Sequence, residues 1–431
     1  MALSSRGALL VAMDVSEILS ARQGVFVRKP VRLLTLTTLF PNGRNARHGI
    51  FVANRLRRLC DTGRVAATVV AAIPWFPGAY RDRAAIAATE TISGLQVHHP
   101  RFINVPGVGM RIQPDLLART LIDELRRIGA DTSGFDVIDA HYFYPDGVAA
   151  ARIADELGLP LVISARGSDI NSIGRIAFAR ERMRRAAERA QALIAVSSDL
   201  AKTMAELGMP EQRIHVLRNG VDTEMFAPFS RSEARARFGL PNSGSWVLGV
   251  GNLVPEKGFE LLIHAIAGLD DVRLVLVGEG PLRSQLAALG KSLAPNRVAF
   301  RANMPQEQLR YAYAAANVLA LPSLREGWPN VVLEALACGT PVVASAVGGL
   351  PEILPDGAPG RLVLERKVDV WRNALRDVLD APILAERAHA YAGKFGWDEV
   401  IAQQVLLYER VGARDSAVDA FRATSGIEGH A

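Results

Sequence analysis

The stretch from Asn317 to Ser345 constrains this chain most, because its punctuation places every part of a strand, loop, helix and strand. Asn317-Val-Leu-Ala-Leu-Pro322 is a short apolar run ended by proline, the pattern of a buried strand. Pro329 suits the first position of a helix, where a missing N–H costs nothing, and Gly339 with Pro341 suits the helix end. Pro341-Val-Val-Ala-Ser345 is again a strand. The unit puts Glu326 in the loop at a strand's carboxyl end and Glu334 in the first turns of the helix, with seven residues between them. In an open parallel sheet that edge is where ligands bind.

Two carboxylates there have an ordinary reading, one on a solvated loop and one favoured by a helix dipole. The next unit changes the weighting. Val347-Gly-Gly-Leu-Pro-Glu352 sets a second Gly-rich turn before another helix start, so two helix N-termini can face one anion. The segment resembles the donor-site signature of retaining family-4 glycosyltransferases of the GT-B fold: Glu, seven residues, Glu, within a Pro-Ser, Glu-Gly and Glu-Ala frame. That resemblance implies that Glu326 contacts the transferred sugar and Glu334 holds the ribose hydroxyls of the nucleotide. It also implies that the N–H groups after Glu326, at Gly327 and Trp328, bond the sugar, with Val331 nearby.

A chain of 431 residues fits two domains rather than one core. Hydrophobic content of 49% and charged content of 22% are those of a globular protein. No apolar run approaches the roughly 18 residues of a membrane span, and the opening residues are too short in apolar content and too acidic for a secretory signal. Two cysteines, Cys60 and Cys338, fit a reducing compartment and no metal motif, so both read as core residues. The net charge of +6 comes without a zinc-finger or ribonucleoprotein pattern, and no nucleic-acid partner is expected. Arg175, Arg180, Arg182, Arg184, Arg185 and Arg189 read as one helix, either an ordinary solvated face or a peripheral contact with anionic lipid.

In the first half, Val31–Thr37 reads as the opening strand, followed by the loop Asn42-Gly-Arg-Asn-Ala-Arg-His48 and a helix from about Gly49 to Leu59. The loop is either a plain surface turn or, with Gly43 and its basic residues at the ligand edge, a seat for phosphate or an acceptor sugar. Phe135–His141 is a parallel-type strand whose last residue, His141, is either a cleft ligand or a hydrogen-bonded structural histidine. Pro160–Ser164 leads into Ala165-Arg-Gly-Ser-Asp-Ile-Asn171, where the family commonly has His-Gly-x-Asp. Arg166 stands in place of that histidine and cannot exchange a proton near neutral pH. Asp169 is either its ion-pair partner, shaping the loop, or a cleft residue, and Arg166 itself is a candidate catalytic cation.

After Pro228 the pattern restarts. Trp246–Gly251 is a strand and Asn252-Leu-Val-Pro-Glu-Lys-Gly258 its loop; Val254 at the sixth place breaks a Gly-x-Gly-x-x-Gly dinucleotide pattern. The family's Gly-Arg-Leu and Glu-Lys-Gly pattern matches at Lys257 and Gly258, whereas Asn252 stands where the diphosphate-binding arginine would be. Asn303, after the strand Val298–Ala302, is the expected neighbour of the nucleobase by resemblance.

The expectation is an α/β protein with the GT-B architecture: two doubly wound Rossmann-like domains facing a deep cleft. Residues 1–30 are an extension, 31–225 the acceptor domain, 226–394 the nucleotide-sugar domain, 395–412 a helix crossing back, and 413–431 a disordered tail. The expected reaction is retaining transfer from a nucleotide-sugar, without cofactor or metal, to a saccharide or lipid-linked hydroxyl in bacterial exopolysaccharide or lipopolysaccharide assembly. The expected location is the cytoplasm or the inner face of its membrane. A rival is a non-catalytic nucleotide-sugar-binding subunit that activates or anchors a partner, to which Asn252 and Arg166 lend support.

Overall fold

The computed structural model describes residues 29–77, 85–105, 109–129 and 134–425, with side chains as far as 413. The expected extension, 1–30, lies outside these apart from its last two residues. The first half holds β1 (Val31–Thr37), β2 (Val65–Ala71), β3 (Ile73–Trp75), β4 (Thr89–Ile92), β5 (Leu95–His98), β6 (Arg101–Ile103), β7 (Val137–His141), β8 (Leu161–Ser164), β9 (Ala192–Ala195) and β10 (Ile214–Val216). Eight of these form one sheet in the order β10-β9-β8-β7-β1-β2-β5-β4, while β3 and β6 pair separately. Only the β4–β5 hairpin at the edge of that sheet is antiparallel. Its short, half-polar β4 was not expected from the sequence.

The second half holds β11 (Ser245–Val250), β12 (Val272–Val277), β13 (Val298–Arg301), β14 (Val318–Leu321), β15 (Val342–Ser345) and β16 (Gly360–Val363). They form a wholly parallel sheet in the order β13-β12-β11-β14-β15-β16. The strand order reverses between β11 and β14, and in the first sheet between β1 and β7. Helices leaving the neighbouring strands there go to opposite faces and open a crevice at the carboxyl edge. The loops after β1, β7, β11 and β14 therefore carry the residues best placed to meet a ligand.

The two carboxyl edges meet. One apolar core runs from the first sheet through Val221, Phe226 and Trp328 into the second. The C-terminal helix, Trp397–Ser425, returns to the first half, where Trp397, Ile401, Val405 and Tyr408 share a cluster with Leu33, Val137 and Val162. Their spacing is that of one helical face. The tail expected to be disordered from 413 continues this helix as far as Ser425. Ala413-Arg-Asp-Ser-Ala-Val-Asp-Ala-Phe-Arg-Ala423 contains strong helix formers and no glycine or proline, which outweighs its polarity.

Arg55, 1% exposed, ties these parts together. Its guanidinium donates to Gln404 Oε1 at 2.6 Å, to the Leu217 carbonyl at 3.1 Å and to Asn219 Oδ1 at 3.1 Å. Burial holds its pKa down at about 9, far below the usual arginine value. Replacement by leucine strands buried acceptors, so Arg55→Leu is expected to lower unfolding stability by about 3 kcal/mol or more. Denaturant titration checks this, and a loss below about 1 kcal/mol would mean that the site relaxes around the substitution.

A second buried group links β1 to β7. Asp146, 1% exposed, accepts from the Thr38 N–H and, at 3.0 Å, from Thr38 Oγ1. Burial raises its pKa from an ordinary 3.8 to about 8. Between those values the folded chain holds a proton that the unfolded chain has released, so this group's contribution to stability falls as pH rises from about 4 to about 8. The melting temperature of Asp146→Asn relative to the parent is expected to climb over that range. A difference independent of pH would show Asp146 to be ionised throughout.

Candidate active site

Lys257 and Glu326 come together at the switch point of the second sheet. Lys257 lies in the loop after β11 and Glu326 in the loop after β14. The Lys257 ammonium donates to Glu326 Oε1 at 2.6 Å, and Ser323 Oγ donates to the same oxygen at 2.6 Å. Glu326 Oε2 has no hydrogen-bond partner among the described residues. The adjoining Gly258 holds φ +65°, and a Cβ there would lie 2.2 Å from the Pro322 carbonyl oxygen. Only glycine lets these two loops approach so closely.

Glu334, 8% exposed, projects from the helix Asn330–Ala337. Pro329 caps that helix from outside its first residue rather than occupying the first position, a shift of one. Gln306 donates to Glu334 Oε1 at 3.1 Å and Tyr313 to Oε2 at 2.7 Å. Burial raises the Glu334 pKa above the usual carboxylate range, against the pull of those donors and of Arg47. Arg47 belongs to the loop after β1 and reaches over from the first half, donating to the Met304 carbonyl at 2.8 Å. Asn303, exposed, is the neighbour of Met304, and Val331 is half-buried at the start of the Glu334 helix.

Four expected site residues have side chains held in the frame, Trp328 among them although its expected sugar contact was through its backbone N–H. Trp328, 6% exposed, donates its indole N–H to the Asn219 carbonyl at 2.9 Å, so its side chain braces the domain junction; an aromatic after Glu-Gly carries no sign of which wall it will face. Asp169 is fully buried and accepts from the N–H groups of Phe143 at 2.8 Å, Arg166 at 3.1 Å and Gly167 at 2.8 Å. It shapes the loop through backbone donors, not through the Arg166 side chain. His141, 2% exposed, is the structural histidine of the two alternatives, bonded to Asp139 Oδ2 at 2.7 Å.

The Arg166 guanidinium turns inward to His141 Nδ1 and stacks over Phe51 with 5.3 Å to the ring centroid. Because a guanidinium only donates, Nδ1 accepts and His141 Nε2 carries the proton to Asp139. Burial also lowers the His141 pKa, in keeping with a neutral ring. Arg166 thus spends one guanidinium nitrogen on His141, while its Nε and Nη1 are buried with no hydrogen-bond partner among the described residues. Gly43 is exposed, its N–H held by Glu90 Oε2 at 3.0 Å. Asn252 is also exposed.

The Gly-rich turn at Val347 leads into a single turn of helix, Leu350–Ile353. The Gly349 N–H donates to the Gly327 carbonyl at 3.0 Å, so the second expected anion-facing helix start is short and partly spent. Glu352 crosses to the first half, accepting from the Ser198 N–H at 2.8 Å and Arg218 Nε at 2.9 Å. Ser323, Gln306, Tyr313 and Arg47 complete the site without having been singled out. Ser323 sits in the Pro-Ser frame and Arg47 in the basic loop, whereas Gln306 and Tyr313 are brought in by chain folding alone.

The arginine cluster is mostly satisfied within the chain. Arg182 pairs with Asp115 at 2.6 Å, Arg184 and Arg185 with Glu181 at 3.1 and 2.9 Å, and Arg189 with Asp155 at 2.5 Å. Arg175 lies on a separate turn before the helix Ala177–Arg189, since Ile176 is extended. Among the described residues no helix is long and apolar enough to cross a membrane.

Comparison with known proteins agrees with this fold. The family described as Glycosyl transferases group 1 matches residues 230–395, and Glycosyltransferase Family 4 matches residues 49–225. The D-inositol 3-phosphate glycosyltransferase of Mycolicibacterium smegmatis is 35% identical over 294 residues, covering 64% of this chain and 67% of its own. A Bacillus subtilis protein named as a teichuronic acid biosynthesis glycosyltransferase, TuaC, is 29% identical over 398 residues, covering 90% of this chain and 95% of its own. The crystal structure of Anabaena HepE in complex with UDP superposes with a TM-score of 0.67 at 22% identity, over 88% of this chain and all of that one. With its two doubly wound halves, the Glu326 to Glu334 signature and these matches, the chain belongs to the family-4 glycosyltransferases of the GT-B fold.

Proposed function

We propose that this protein transfers a glycosyl group from a nucleotide-sugar to a hydroxyl of a saccharide or lipid-linked acceptor, with retention at the anomeric carbon, in bacterial polysaccharide assembly. The Lys257–Glu326 pair at the β11/β14 switch point carries the reading. A diphosphate entering that crevice offers the ammonium a more highly charged partner than one carboxylate. Lys257 then turns to phosphate, and Glu326 becomes free to accept hydroxyls of the sugar. Glu334, already ordered by Gln306 and Tyr313, retains lone pairs for ribose hydroxyls.

In the step itself, the bond from anomeric carbon to phosphate oxygen breaks as the acceptor oxygen bonds to the same face. The acceptor's proton passes to the departing phosphate. Charge grows on that phosphate, so a cation aimed at it, Lys257, stabilises the transition state more than the bound donor. No side-chain base and no metal ion is needed in this scheme. UDP bound to HepE and the teichuronic acid biosynthesis named for TuaC support the donor and acceptor classes. A cytoplasmic location, with contact to the inner membrane face through the lipid-linked acceptor, accompanies the proposal; the ion-paired arginine helix adds little to it.

The test is nucleotide release from a panel of nucleotide-sugars, with and without lipid-linked acceptors, together with the anomeric configuration of the product. Glu326→Gln is expected to bind nucleoside diphosphate as the parent does and to lose about 10²–10³-fold in turnover. Parent-like turnover in that variant removes Glu326 from the sugar site. Nucleotide binding by the parent without transfer to any acceptor would favour the non-catalytic subunit.

A further inference from the structure

Glu334 is held from both halves of the molecule. Its two direct donors, Gln306 and Tyr313, belong to the second-half helix Gln306–Ala315. Gln306 is in turn held from across the cleft, because Asn54, on the first-half helix Ile50–Asp61, donates from Nδ2 to Gln306 Oε1 at 3.3 Å. The two bonds agree on the sense of the amide. An ionised carboxylate only accepts, so Gln306 must turn Nε2 toward Glu334, which leaves Oε1 for a donor, and Asn54 supplies it.

The same first-half segment meets the second half elsewhere. Arg47, just before that helix, bonds the Met304 carbonyl at 2.8 Å, so residues 304–306 are tied down at two points. Further along the helix, Arg55 bonds Asn219 at 3.1 Å and Arg58 pairs with Asp222 at 2.5 Å, both in the turn that leads into the second half. Asn54, Arg55 and Arg58 fall at helical spacing on one side of the helix, and that side is turned to the domain junction. Arg55 and Arg58 fasten the junction itself. Asn54 does something different, for the residue it bonds is the one that bonds Glu334. A neutral amide pair at a half-buried position adds little to stability. Its effect is on order: Gln306 has three side-chain torsions, and a bond at each end of its amide pins them where one bond would not.

We propose that Asn54 is a positioning residue for the donor site: through Gln306 it holds the Glu334 carboxylate in the orientation that accepts ribose hydroxyls, and it does so only while the two halves face each other. Recognition of the nucleoside by the second half is thereby made to depend on a side chain of the first. The coupling runs both ways, since a nucleotide favours the closed arrangement to the same extent that closure favours the nucleotide. Ribose binding then draws the acceptor domain onto the donor. This inference deepens the nucleotide-sugar reading of the site and rests on it.

Calorimetry on the full chain with UDP, GDP, ADP and TDP finds the preferred nucleotide, which is then set beside its counterpart lacking the ribose hydroxyls. Asn54→Ala substitutes a better helix former and is expected to keep the parent's melting temperature. It should weaken the preferred nucleotide about three- to tenfold and leave the counterpart as it was. Gln306→Leu should lose at least as much, and adding Asn54→Ala to it should cost nothing further, because the two side chains lie on one path. An unchanged affinity in Asn54→Ala, an equal loss for both nucleotides, or losses that add in the double variant would overturn the proposal while leaving the donor site in place. A parent that binds the preferred nucleotide and its counterpart equally removes Glu334 from the ribose, and one that binds none of the four diphosphates overturns the donor reading itself.

Discussion

The ion pair between Lys257 and Glu326, 2.6 Å long, joins the loops on either side of the reversal in strand order of the second sheet. Both partners are largely shielded, with side chains 23% and 9% exposed, so neither charge is well solvated by water. A half-buried pair of this kind is a modest source of stability, since desolvation offsets much of the attraction. Its value lies in geometry. Each group is oriented and close to where opposite charge must be met. Ser323 reinforces the same Glu326 oxygen, leaving the other oxygen as the one available for further bonds.

The pair acts only if the two halves are held face to face, and the structure does this with unusually close backbone contact. A Cβ on Gly327 would lie 2.8 Å from the Arg166 carbonyl oxygen. Glycine after Glu326 is thus required by the approach of the first domain. Trp328 and Glu352 fasten the same junction, one through its indole N–H and one through its carboxylate at the start of the helix Ser198–Glu206. The C-terminal helix closes the circuit, for Gln404 bonds Arg55, and Arg55 bonds Asn219, whose carbonyl receives Trp328. Residues far apart in the chain thereby set the spacing across the cleft.

Much of this was legible before the fold was known. Parallel strands buried on both faces announce themselves as continuous apolar runs, and β12, Val272–Val277, has the expected bounds. That Lys257 and Glu326 belong to one site was suggested by the resemblance of their loop motifs to the family's, and the two side chains do meet. The first half was harder. Whether Arg166 faces the cleft or the interior depends on His141, Phe51 and Asp139, which no local pattern links to it. Trp328 was expected for its backbone N–H, and no local pattern told that its indole would brace the domain junction. Tyr313 and Gln306 gave no signal, because an ordinary amphipathic helix hides which of its polar groups will meet a buried carboxylate. The half-polar strand β4 escaped for want of apolar periodicity, and the tail after 412 because polarity was weighed above helix propensity.

The central claim is that the charges at the β11/β14 switch point exchange partners for a nucleotide diphosphate. A crystal structure with a bound nucleoside diphosphate tests it most directly. The account predicts Lys257 Nζ within hydrogen-bond distance of a phosphate oxygen, the Glu334 carboxylate on the ribose, and Glu326 released toward the sugar position. A nucleotide bound elsewhere, with the Lys257–Glu326 pair unchanged, would contradict it.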